Sequence, residues 1–73
     1  MQFTIKQART YAGLTQKKMA DLLGIDRGTY IRIEKDYRHA RVGQIISISK
    51  ITGISLSDIF LPLNSTLVDH SEK

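Results

Sequence analysis

No cysteine occurs among the 73 residues. That excludes a disulfide framework and any cysteine-ligated zinc site. Imidazole is nearly as scarce: the two histidines, His39 and His70, stand far apart in the chain and read as solvated surface groups. No metal, no cofactor and no small-molecule ligand is therefore expected. No Ser-His-Asp set, phosphate-binding glycine loop or pair of catalytic carboxylates is visible. A chain of this length buries roughly 60% of its unfolded surface, enough for one small core but not for a buried catalytic cleft, so an enzyme is not expected.

Long apolar runs are missing too. Nothing approaches the roughly 18 residues of a membrane span, and the N-terminus lacks the charged-then-apolar pattern of a secretory peptide. The basic residues do not oppose one continuous apolar face, which argues against a membrane partner. A cytoplasmic protein is the expectation. Repeats and low-complexity linkers are absent, and the one proline is Pro62.

What is present is an ordinary globular composition, 41% hydrophobic and 25% charged, consistent with one domain. The net charge of +4 is unevenly placed. Residues 1–50 hold ten Lys/Arg against four acids, whereas residues 51–73 hold one Lys against three acids. A basic front half suggests a polyanionic partner, nucleic acid first.

Apolar spacing predicts an all-α chain, a compact five-helix bundle. Thr4 and Gln7 match a capping box, followed by Ile5, Ala8 and Tyr11 or Ala12 at helical spacing. Gly13 ends that helix. Thr15 caps a second, with Met19, Leu22 and Leu23 on one face beside the small Ala20, and Gly24 closes it. Asp26 caps a third, whose inward stripe is Tyr30 and Ile33 with Thr29 beside it; its carboxylate suits the positive end of the helix dipole. The polar, basic segment from Lys35 to Val42 reads as a loop. A fourth helix is predicted from Gly43 to Thr52, with Ile45, Ile48 and Ile51 inward and Gly53 as its stop. Ser55 and Asp58 suggest a capping box for a short fifth helix through Phe60, which Pro62 prevents from continuing. Residues 1–61 form the domain and residues 62–73 a tail.

Two short helices joined by a glycine turn, the second well capped, form the pattern of a helix-turn-helix, whose second helix fits the major groove. At these residues the chain resembles the Cro/phage-repressor-type helix-turn-helix family, the XRE family, from Ile5 to Phe60. The resemblance is carried by Leu14-Thr15-Gln16, Ala20, Gly24-Ile25, Arg27, Thr29 and Arg32-Ile33-Glu34. Arg9, Ile45, Ile48, Gly53, Ser55-Leu56 and Asp58 add to it.

The resemblance implies roles. Arg27, Gly28 and Arg32 stand at positions that reach bases. Gln16 stands where the family contacts a phosphate and buttresses the reading helix. Arg9 and Glu34 stand where a buried ion pair joins the first helix to the end of the third. Arg27 suits bidentate contact with guanine O6 and N7 or a phosphate clamp. Lys17, Thr29, Lys35, Arg38 and Arg41 complete the expected phosphate contacts, the last three along the basic loop. For each the plain alternative is a solvated or locally bonded side chain.

Four positions depart from the family pattern. Gly28 offers no side chain where a base reader is usual, so either the backbone approaches DNA closely or that base is not read. Ile31 replaces a small polar residue near the proposed DNA face, Asp36 replaces a glycine and sets a negative charge beside the phosphate track, and Ser47 with Ser49 makes the fourth helix more polar than usual. Two functions follow. The first is a small sequence-specific transcriptional regulator in a phage or mobile-element switch, bound to a double-stranded operator, as a homodimer if the operator is symmetric. Leu61, Leu63, Leu67 and Val68 are the candidates to bury against a second subunit. The second is a modulator, anti-repressor or co-repressor, that engages a phage repressor protein of the same fold, with Ile31 as the protein contact.

Overall fold

The computed structural model describes residues 2–59 and residue 61. Four α-helices follow one another: α1 (Ile5–Tyr11), α2 (Gln16–Leu23), α3 (Arg27–Lys35) and α4 (Val42–Thr52). Single 3-10 turns lie at Tyr37–His39, after α3, and at Leu56–Asp58, after α4. None of the helices among the described residues is long and apolar enough to cross a membrane.

The helix starts follow from local hydrogen bonding. Thr4 and Gln7 form a reciprocal capping box, Gln7 N–H donating to Thr4 Oγ1 at 3.1 Å and Thr4 N–H to Gln7 Oε1 at 2.9 Å. Thr15 Oγ1 accepts from Lys18 N–H at 3.0 Å, and Asp26 Oδ2 accepts from Thr29 N–H at 3.0 Å. Each acceptor satisfies a helix donor with no partner inside the helix. The α2–α3 turn depends on Gly24, whose φ of 74° is left-handed. There Gly24 N–H reaches Asp21 O and Ile25 N–H reaches Ala20 O, at 3.1 and 3.0 Å, the two bonds of a Schellman ending. That turn holds α3 against α2.

The core comprises Ile5, Ala8, Met19, Ala20, Tyr30, Ile33, Ile45, Ile48, Ile54 and Ile59. At about 25 cal/mol per Å² of apolar surface removed from water, these side chains are the main favourable contribution to the fold. Leu22 departs from its predicted inward stripe, and of the two candidates Tyr11 and Ala12 the structure selects Ala12. Tyr11 is 71% exposed and Leu22 49% exposed, while Ala12 and Leu23 take the half-buried positions.

The expected fifth helix is a correction. Ser55 makes no side-chain cap, because its hydroxyl lies 3.0 Å from Ser57 Oγ. One 3-10 turn is completed, and Ile59 then becomes extended. Ile59 pairs with Phe3 in an isolated parallel bridge, and Phe3 N–H donates to Asp58 O at 2.7 Å. Pairing with the N-terminal segment claims the backbone that a further helical turn would use. The fourth helix also begins one residue earlier than expected, at Val42. Phe60, Pro62, Leu63, Leu67, Val68 and His70, with the proposed tail, lie outside the described residues.

Candidate nucleic-acid interface

Helix α3 presents two faces. Tyr30 and Ile33 are fully buried, which sets its inward direction. At about 100° per residue, Gly28 and Lys35 lie opposite, Ile31 and Arg32 flank them, and Arg27 stands at the edge of the first turn. Arg27, Gly28, Arg32 and Lys35 are exposed, and Ile31 is half-buried. Among the described residues, no acid pairs with Arg27, Arg32 or Lys35.

A carboxylate behind that face fixes the helix in place. Glu34 Oε2 accepts from Arg9 Nε at 2.6 Å and from the Tyr30 hydroxyl, while Glu34 Oε1 accepts from Gln16 Nε2 at 3.1 Å. Arg9 Nη1 in turn donates to Leu14 O at 2.7 Å, in the α1–α2 connection. One carboxylate thus collects donors from α1, α2 and α3. The Glu34 and Arg9 side chains are 5% and 12% exposed. Burial works to raise the Glu34 pKa, but the hydrogen bonds from Arg9, Tyr30 and Gln16 outweigh it and hold the group ionised below its ordinary range. The same bond to Glu34 raises Arg9. Burial first, then Glu34, pushes the Tyr30 phenol well above its usual value, so it remains a donor.

The expected phosphate contacts divide by what already holds them. Gln16 is half-buried and binds Glu34 through its amide N–H, which places it at the α2–α3 junction. Thr29 is engaged by the cap: its Oγ1 donates to Asp26 Oδ1 at 2.6 Å while its N–H donates to Oδ2. Those bonds, the side-chain one foremost, hold Asp26 below the usual carboxylate pKa. Lys17 meets Asp21 at 3.2 Å, but both are exposed, and such a pair contributes little. Arg41 is exposed at the start of α4, where its N–H donates to Gln44 Oε1 at 2.8 Å.

Arg38 is engaged most tightly. Its Nε lies 3.0 and 3.2 Å from the two Asp36 oxygens and its Nη2 lies 2.8 Å from Oδ2. Arg38 N–H adds a further bond to Oδ1 at 3.0 Å. The fork holds Asp36 down to about 2. The acid at position 36 therefore pairs with Arg38, one of the cations expected to contact phosphate, although the guanidinium stays exposed to solvent.

Among the contacts whose partners escaped the sequence reading are the Tyr30 hydroxyl on Glu34, the Thr29 hydroxyl on Asp26, and the Asp36–Arg38 fork. Tyr30 was legible as core but not as a donor. The other two are side-chain pairs two or three residues apart, and that spacing was the available signal. Among the described residues no cluster of three metal-ligating side chains occurs.

Comparison with known proteins agrees with this fold. A family model described as helix-turn-helix matches residues 5–59. An uncharacterized HTH-type transcriptional regulator of Methanocaldococcus jannaschii is 34% identical over 61 residues, covering 84% of this chain and 92% of that protein. No solved structure matches the chain.

Proposed function

The chain belongs to the XRE-type helix-turn-helix family and is a DNA-binding transcription regulator; from that premise we propose that it reads its operator by sequence, with α3 in the major groove. The observation that carries this reading is the outer face of α3. Arg27, Arg32 and Lys35 stand there exposed and unpaired among the described residues, on a helix fixed from behind by Glu34. Cations without a protein partner are free to exchange solvent for base edges or phosphates. Arg27 and Arg32 are assigned to bases, and Lys35, Arg41, Lys17 and Gln16 to the backbone, which sets register without encoding sequence. Thr29 and Arg38 make poorer contacts until the cap or the Asp36 fork lets go.

A gel-shift titration on the intergenic DNA beside the gene tests the assignment. Arg32→Ala relaxes base preference, and Arg41→Ala weakens all duplexes alike and flattens the salt dependence. Equal effects of the two variants on specific and random DNA overturn it. A phage or mobile-element switch is the proposed setting, supported by the resemblance to Cro-type proteins; a divergently oriented repressor gene next door is what to look for.

A symmetric operator calls for two copies, with half-sites about 34 Å apart. Val42, Ile46 and Leu56 are exposed at 77%, 39% and 46% and border an apolar groove floored by Ile45, just past the C-terminal end of α3. A second copy is the proposed occupant, because continuity of this groove with the reading helix would fix the spacing of two α3 helices. Sedimentation of the full chain reports a dimer that Val42→Asp dissociates; a monomer at high micromolar concentration overturns the assignment.

A further inference from the structure

The outer face of α3 is not uniformly polar. Ile31 is half-buried there, yet it is not among the hydrophobic residues that pack on the core. Side chains in a helix lean toward the preceding turn, so Ile31 leans over the turn that holds Arg27 and Gly28.

Gly28 leaves that turn open. A Cβ at position 28 would stand 3.2 Å from Asp26 Oδ2 and more than 4 Å from the Ile31 side chain. The Asp26 carboxylate has little freedom to retreat, because the N–H and the hydroxyl of Thr29 both hold it. The outer face thus has an unfilled notch at Gly28, an apolar wall at Ile31, and guanidinium groups at Arg27 and Arg32 to either side.

Among the groups that base pairs present in the major groove, the apolar one is the C5-methyl of thymine. We propose that Ile31, across the Gly28 notch, contacts the C5-methyl of a thymine next to the bases read by Arg27 and Arg32. The missing side chain at position 28 is then what lets the base edge approach. This inference rests on the reading of α3 as the helix in the major groove.

The test begins by selecting a preferred duplex from random DNA with the full chain. Each thymine of that duplex is then replaced in turn by deoxyuridine, which lacks only the methyl group. At one thymine per half-site the replacement weakens binding about fourfold, the value of removing one buried methyl-sized group. Ile31→Ala binds the thymine and deoxyuridine duplexes equally at that site, and Gly28→Ala, which fills the notch, lowers the same ratio. The wild-type comparison needs no variant, so it stands even where a substitution disturbs folding. A wild-type chain indifferent to every thymine methyl, or a methyl preference unchanged in Ile31→Ala, overturns the role of Ile31 while leaving α3 as the DNA-reading helix. A wild-type chain that selects no sequence, or that instead binds a helix-turn-helix repressor through Ile31, overturns both.

Discussion

Glu34 Oε2 accepts a hydrogen bond from Arg9 Nε at 2.6 Å across 25 positions of sequence, tying the last turn of α1 to the last turn of α3. The pair is nearly buried, so each charge depends on the other. Removing one partner leaves an uncompensated charge, at a cost of about 3–5 kcal/mol. Arg9→Ala and Glu34→Ala are each expected to destabilise the domain by that amount, a large share of the stability of so small a fold. The double variant should cost less than the two single costs combined. Thermal or urea unfolding followed by circular dichroism checks this, and strict additivity would show that the charges are not coupled.

Acid should weaken the fold in a defined window. Glu34, Asp26 and Asp36 all have folded-state pKa values below their ordinary ones, Asp36 at about 2. A carboxyl lowered by folding contributes stability above its unfolded pKa, about 4. It loses that contribution as pH falls through the folded value. Tm is therefore expected to be flat near neutrality and to fall between about pH 4 and pH 2. Glu34→Gln starts from a lower Tm but loses less of it on acidification, and melting curves across that range distinguish the two slopes.

The Asp36–Arg38 fork predicts a gain of affinity. Asp36→Asn keeps an oxygen for the Arg38 N–H but removes the charge that holds the guanidinium. Freed Arg38 then neutralises one more phosphate, and the slope of log affinity against log salt steepens by about 0.9. Binding to random duplexes strengthens at low salt and the advantage fades at high salt. An unchanged slope would mean that Arg38 already leaves Asp36 when DNA arrives.

Asp26→Ala removes the cap at the N-terminal end of α3 and releases Thr29 with it. Tm is expected to fall by several degrees, and hydrogen exchange should quicken first at Thr29 N–H, the donor the cap satisfies. Asp26→Asn keeps an acceptor for that donor and should restore most of the loss.

The ends of the helices and their inward sides were legible from the chain alone. Thr4, Thr15 and Asp26 accept from donors three residues away, and Tyr30 and Ile33 recur at helical spacing, so the information lies within one or two turns. The fate of residues 55–59 was not legible that way, because a local capping pattern competes there with Phe3, which is distant in sequence and adjacent in space. The site divides similarly. Which residues are cationic is written in the sequence. Which cations are free is decided by competition for acceptors: Asp36 takes Arg38, whereas Arg27 and Arg32 have no acid partner among the described residues. The resemblance already paired Glu34 with Arg9, but nothing local in the sequence shows that the Gln16 amide and the Tyr30 hydroxyl join them; packing alone brings all three donors to one carboxylate. Local periodicity and capping thus determined that α3 forms. The tertiary structure decided how that helix is held and which of its side chains face outward unpaired, because hydrogen-bond partners are shared among elements that only folding makes neighbours.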